Sequence, residues 1–279
     1  MALFRALETA RPSNQRLFAD PLAARFLRPS LRVALTLARL PVVGRAIPGL
    51  IDRRWPGART SGVARTRMID DLMAEAFRAG FGQIVILGAG FDSRAYRLSP
   101  PPNARFFEVD QPSTSQRKQR IIKDYQRSLP AHVTFVQIDL NHQELGPVLE
   151  SEGFRRDPTF FVWEGVTNYL SAMAVDATVR WVGSCAQSSR IVFTYVHKDV
   201  IDAPTSFAGT EGLGKTLART GERWTFGLDP GELKDYLAAG GLELIEDLGA
   251  GDYRSRYIGT PDSGYEFYRV VTARVRGTP

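Results

Sequence analysis

The chain has 279 residues, of which 43% are hydrophobic and 24% charged, enough to bury a full core as one large domain with an appendage. Its single cysteine, Cys185, excludes a disulfide framework and cannot by itself build a zinc site, so no metal is expected. The net charge of +6 invites a nucleic-acid partner, but only five of the 36 basic residues are lysines, the arginines are scattered, and no RNP, zinc-finger or helix-turn-helix signature accompanies them.

The first 80 residues read as a helical cap. No targeting signal opens them, because Arg5, Arg11 and Arg16 interrupt any apolar core in the first 20 residues, and a cytoplasmic home is expected. "DPLAARFL" and "SGVARTRMIDDLMAEAFRAG" have apolar residues near helical spacing, with Pro12, Pro21, Pro29, Pro41, Pro48 and Pro56 cutting between segments. In "SLRVALTLARLPVVGRAIPGL", Arg32, Arg39, Arg45 and Pro41 exclude a membrane span. That leaves a basic amphipathic surface helix, a core-facing cap or one wall of an apolar channel, and the cap is the preferred reading.

From residue 81 to the end the pattern becomes α/β. The short apolar runs "QIVIL", "RFFEVD", "VTFVQIDL", "TFFVWEG" and "RIVFTYV" alternate with helical stretches, which predicts a mostly parallel sheet with crossover helices. "LELIEDLG" and "YEFYRVVTARV" follow with little room for a helix between them, which predicts an antiparallel hairpin at one sheet edge. Between the fifth strand and a helix near Gly231, residues 198–230 form a long glycine-rich insertion, read as a lid to which Phe207, Trp224 and Phe226 could supply an apolar face, although core packing is the default for Trp224.

The candidate site gathers where strands end. "QIVIL" reads as a central strand, and Gly88 and Gly90 at its carboxyl end let a ligand approach backbone. The third small residue of the dinucleotide fingerprint is replaced by Ser93, which suits a nucleoside without a diphosphate better than NAD. Asp110, twenty residues after Gly90, is placed to accept from two ribose hydroxyls, against the alternatives of a cap for the helix at Pro112 or a role taken by Glu108. Asp139 and Leu140 lie where a base would rest, although Asp139 also suits a plain turn. Glu164 follows an apolar run directly, and a carboxylate there needs a partner or a ligand. His197, just past "RIVFTYV", stands at a strand end where a base could act, although a loop histidine bonded to neighbouring backbone is the commoner case.

Taken in order, "VARTRMIDD", "QIVILGAGFDSRAYRL", "FFEVDQP", "IDL", "FVWEGVTNYL" and "WTFGLDPGELKDYLAAGGLEL" resemble the leucine carboxyl methyltransferase-like family of S-adenosylmethionine-dependent methyltransferases, which includes bacterial polyketide carboxyl O-methyltransferases. The resemblance spans about residues 60–275 and implies a class I methyltransferase Rossmann-like sheet with S-adenosyl-L-methionine as cofactor. It implies that Arg65 binds the cofactor's methionine carboxylate and that Gly88 and Gly90 approach its methionine portion. Asp110 would then hold the ribose, Asp139 and Leu140 frame the adenine, and Glu164 line the pocket. Methyl transfer from a sulfonium needs orientation and a dry pocket more than a triad, and a carboxylate acceptor needs no base. The expected activity is O-methylation of a carboxylate or hydroxyl on an apolar or aromatic small molecule. Its rivals are a protein or peptide carboxyl methyltransferase, a nicotinamide-dependent oxidoreductase and a non-catalytic binding module.

Overall fold

The computed structural model describes residues 1–37, 41–202, 207, 210, 223–259 and 264–277, with backbone only at 34, 37 and 41–46. Seven strands form one sheet: β1 (Gln83–Leu87), β2 (Arg105–Asp110), β3 (Val133–Gln137), β4 (Thr159–Trp163), β5 (Arg190–Val196), β6 (Leu242–Leu248) and β7 (Tyr268–Val275). Their order is β3-β2-β1-β4-β5-β7-β6, with β1 to β5 parallel and β7 antiparallel to both β5 and β6. Chain order reverses beside β1, between β2 and β4. An open parallel sheet forms its ligand crevice at such a switch point, beyond the strands' carboxyl ends.

Both sheet faces are covered, which explains why β1 is apolar throughout. Val85 and Leu87 pack into one core with Phe107, Phe161 and Trp163, while Ile84 and Ile86 turn to the other with Met68, Ile69 and Met73. The helices that precede the sheet are α1 (Ala2–Thr9), α2 (Pro29–Leu37), α3 (Pro41–Arg54) and α4 (Ala58–Arg78). A separate small core of Ala6, Leu7, Ala23, Leu27, Leu35 and Ile51 joins the first three. The segment around Leu35 and Ile51 is therefore core-facing, whereas α4 packs on the sheet.

Three local expectations are corrected. "DPLAARFL" is a run of turns and not a helix: its backbone bonds run mainly to the third residue back, Ala23 to Asp20 (3.2 Å), Arg25 to Leu22 (2.8 Å) and Leu27 to Ala24 (3.4 Å), while the Asp20 carboxylate accepts from the amides of Leu22 (3.1 Å) and Ala23 (3.0 Å). Pro48 lies inside α3 and does not end it. Between β6 and β7 there is room for a helix, Ala250–Ile258, so the two strands are neighbours without being a tight hairpin. That helix buries Tyr253 and Arg254, whose polar character hides it from a hydropathy reading.

Of the insertion at 198–230, residues 203–206, 208–209 and 211–222 lie outside the described residues, as does Arg39. Phe226 belongs to the large core, and Phe207 packs on the rings of His197 and Phe267 at 5.1 and 6.0 Å.

Candidate active site

The chain leaves β1 through two left-handed residues, Gly88 (φ 62°) and Gly90 (φ 41°), a conformation that favours glycine. A Cβ on Gly88 would stand 2.3 Å from Val166 Cγ2, so the loops after β1 and β4 also need its small size to close on one another. The Gly90 amide donates to Asp110 Oδ2, and the Gln111 amide donates to Asp110 Oδ1 at 2.7 Å. Gln111, not Asp110, holds the cap position of the helix Pro112–Gln126. Burial raises the Asp110 pKa, tempered by these two amides, and each oxygen keeps accepting capacity. Glu108 is turned elsewhere: it is buried against Lys118 Nζ (2.8 Å) and accepts from Tyr96 Oη (2.9 Å). Of the two acids on β2, Asp110 alone stands beside the glycine corner.

Across that corner lies a buried ion network. Arg65 Nε donates to Glu164 Oε1 (2.8 Å), and its guanidinium sits 4.3 Å from the Tyr268 ring centre. Arg94 Nη1 donates to Glu164 Oε2 (2.8 Å) and also meets Asp92, while its Nε donates to Asp70 (2.8 Å). Arg97 grips Asp70 with two bonds of 2.7 Å. Ser93 donates to Asp20 (2.5 Å), which also meets Arg5 Nε at 2.9 Å, and Arg5 donates to the Phe91 carbonyl. Burial opposes ionisation of Glu164, but Arg94 and Arg65 outweigh it and hold its pKa well below the usual carboxylate range. Asp92 is likewise lowered against burial, chiefly by Arg94. Both acids are committed anions at any working pH.

A cavity of about 410 Å³ opens between this network, the glycine corner and α1. Met1, Phe4 and Arg5 wall it on the cap side, Gly88 to Asp92 and Glu164 to Val166 form its floor, and Trp224, Tyr265 and Tyr268 supply an aromatic side. Its volume falls within the range of about 300–1,000 Å³ typical of small-molecule sites. Two buried polar atoms of cavity residues, Asn168 Oδ1 and Trp224 Nε1, have no partner among the described residues. A buried group of this kind is costly unless something satisfies it.

The structure thus brings Arg65, Gly88, Gly90 and Glu164 together around one cavity, with Asp110 touching Gly90 from behind. Asp139 and Leu140 do not line that cavity. Asp139 accepts from the Asn141 amide (2.9 Å) as a turn residue does, and Leu140 borders a second hollow of about 400 Å³. Neither is His197 in the lining: its Nδ1 accepts from the Asp199 amide at 3.2 Å. The sequence reading passed over Asp70, Asp92, Arg94, Asn168 and Tyr268. The signal available for two of them was the crowding of charge in "FDSRAYRL" directly after an apolar strand. Among the described residues no His, Cys, Asp and Glu side chains cluster as a metal site would require.

The leucine carboxyl methyltransferase family description matches residues 1–183. A relative from Frankia alni, named as an S-adenosyl-L-methionine-dependent methyltransferase, is 34% identical over 219 residues, covering 78% of this chain and 73% of its own. Another from Streptomyces coelicolor, named for the same activity, is 31% identical over 208 residues, covering 72% of this chain and 69% of its own. In fold the chain is similar to a Streptomyces avermitilis DUF574 family structure (TM-score 0.62, 16% identity, 98% of this chain and 97% of that one). It is similar also to a Thermobifida fusca structure described as a methyltransferase (TM-score 0.60, 16% identity, 98% and 94%).

Proposed function

The chain belongs to the leucine carboxyl methyltransferase family and is an S-adenosylmethionine-dependent methyltransferase, and from that premise we propose that it methylates a carboxylate oxygen on an apolar or aromatic small molecule. The observation that carries the choice of a carboxylate is the lining itself: among the described residues it holds no histidine, lysine or cysteine, and both of its acids are paired with arginines, which makes them weak bases. A hydroxyl acceptor needs a base to take its proton, whereas a carboxylate arrives ionised. Tyr265, pushed up to about 12 chiefly by burial, offers none near neutrality.

The cavity's residues fit the cofactor. Gly88 and Gly90 give a floor that a side chain would fill, Arg65 offers a fork to a carboxylate, and Glu164 with Asp92 offers anionic oxygens to an ammonium. Asp110 stands one hydrogen bond behind, oriented by the amides of Gly90 and Gln111 toward hydroxyls at the end of β2. When bound, S-adenosylmethionine supplies an activated methyl group. The protein's own contribution is orientation and exclusion of water by the aromatic side and α1. Trp224 Nε1 is a donor for the acceptor's oxygen, and Asn168 Oδ1 is an acceptor for a polar hydrogen beside it. The Thr225 amide donates to the Asn168 carbonyl at 2.8 Å, tying these two residues' segments into one wall.

A nicotinamide cofactor suits the corner less well. Ser93 is buried and bonded to Asp20, the helix after it spans only Arg94–Arg97, and Asp92 would face a diphosphate with like charge. S-adenosylhomocysteine should therefore bind and NAD should not. Asp110→Ala should weaken S-adenosylhomocysteine binding by about 1.5–3 kcal/mol, the usual value of hydrogen bonds to a charged group, while the fold survives. Unchanged affinity by calorimetric titration would return Asp110 to a purely structural role.

Incubating the chain with methyl-labelled cofactor and a panel of aromatic carboxylic acids and matching phenols tests the acceptor reading. Base-labile methyl esters are expected, at a rate that is flat between about pH 6 and 9 because the acceptor is already ionised over that range. Labelled ethers alone, formed at a rate that climbs with pH, would overturn the carboxylate.

A further inference from the structure

We infer that the α2 and α3 face of the cap docks on an anionic lipid bilayer. Arginines run through the whole chain, but acids do not. Residues 1–60 hold eleven arginines, no lysine and three acids, a balance of +8, so residues 61–279 carry −2 of the total +6. All three acids are already engaged: Glu8 by Arg11 (3.1 Å), Asp20 by Arg5 (2.9 Å) and Asp52 by Arg59 (2.6 Å). Arg25, Arg28, Arg32, Arg53 and Arg54 are exposed and make no ion pair among the described residues. They are surplus charge on one small subregion.

Large apolar side chains stand out among them. Leu31 is 38% exposed, Val33 62% and Leu50 69%. The inward positions of the same helices, Leu35 and Ile51, are buried in the cap core. In a helix Val33 lies two residues, some 200°, from Leu35, so it points away from that core. Helices with this division, arginines beside outward apolar residues, lie in the plane of a membrane interface, where apolar burial and attraction to anionic headgroups act together. A nucleic acid or an acidic protein surface would use the arginines and leave Val33 and Leu50 in water. The cap core that backs this face also carries α1, which walls the cavity. The inference is independent of which acceptor is methylated.

Co-sedimentation of the full chain with vesicles tests it, using phosphatidylcholine alone and an equimolar mixture with phosphatidylglycerol. We expect binding to the mixed vesicles only, weakening as salt is raised. Replacing Arg28, Arg53 and Arg54 together by Gln should lower the partition coefficient by about fivefold for each arginine removed. Val33→Ser with Leu50→Ser, which leaves the charge unchanged, should lower it several-fold as well. None of these five residues lines the cavity, so S-adenosylhomocysteine affinity should be unaltered in both variants and serves as the check on folding. Failure of the parent chain to sediment with the mixed vesicles would overturn the inference. So would loss of binding in the arginine variant alone with the serine variant unaffected, which marks a site for a polyanion and not for a bilayer.

Discussion

Arg94→Ala should cost the fold about 3–5 kcal/mol, the range found when one partner of a buried ion pair is removed, and chemical denaturation monitored by circular dichroism measures it. The side chain is 1% exposed and stands among three carboxylates, those of Asp70, Asp92 and Glu164. Its planar guanidinium reaches Asp70 through Nε and both Asp92 and Glu164 through Nη1, a spread that a lysine ammonium cannot match from one point, so Arg94→Lys should recover only part of the loss. Without Arg94, among the described residues Asp92 has no remaining cation within ion-pairing distance and Glu164 retains Arg65 alone. The control is Arg156→Ala, whose pair with Glu150 is exposed on both sides and should cost no more than about 1 kcal/mol. Equal losses in the two variants would mean that the buried network is not what holds the β1 and β4 loops together.

Arg65→Ala should weaken S-adenosylhomocysteine binding by about 2–5 kcal/mol, as expected when one side of a buried, hydrogen-bonded charge pair is truncated. The guanidinium is fixed on two sides, by Glu164 and by the Tyr268 ring. Burial works against its charge, but Tyr268 and Glu164 outweigh that and keep its pKa above the usual arginine value. On the remaining edge Nη2 donates to the Met1 thioether at 3.3 Å, a weak acceptor that a carboxylate would displace. Arg65→Lys keeps the charge and loses the fork, so its affinity should fall between the parent and the alanine variant. Arg67 lies on another face of α4, half-exposed, paired with Asp71 at 2.9 Å and donating to the Leu17 carbonyl at 2.7 Å. Arg67→Ala should therefore leave the affinity nearly unchanged. A reversed order, with Arg67 dominant, would place the cofactor's carboxylate on the wrong face of α4.

Much of this arrangement is legible in the sequence because it is written locally. β1, β2 and β5 coincide with "QIVIL", "RFFEVD" and "RIVFTYV", whose apolar runs are short and fully buried. Gly88 and Gly90 follow from the same logic, since a strand that ends in a sharp left-handed turn favours glycine, and at Gly88 the approach of Val166 leaves no room for a Cβ. What escapes a local reading is built from distant partners. Arg94 meets Asp70 and Glu164 across 24 and 70 positions, and no spacing rule connects them. Ser93 looks like a defect in a dinucleotide fingerprint until Asp20, 73 positions earlier, is seen to accept its hydroxyl. "DPLAARFL" has a helical pattern of apolar residues, yet its backbone amides bond mainly to the third residue back, Ala23 to Asp20, Arg25 to Leu22 and Leu27 to Ala24, and the run stays a series of turns. Conversely the helix Ala250–Ile258 buries Tyr253 and Arg254, so its inward face reads as polar.

The cofactor should lie in the cavity between the ends of β1 and β4 under α1, gripped by Arg65 and Glu164. Amide hydrogen exchange of the full chain, with and without S-adenosylhomocysteine, reads that placement. The ligand should slow exchange in three separate stretches: the glycine corner through Asp92, the segment from Glu164 to Tyr169, and α1, which walls the cavity from the cap. Protection confined to the second hollow, between Leu140 and Pro147 and along the helix Ala172–Gly183, with the glycine corner and α1 unchanged, would contradict it.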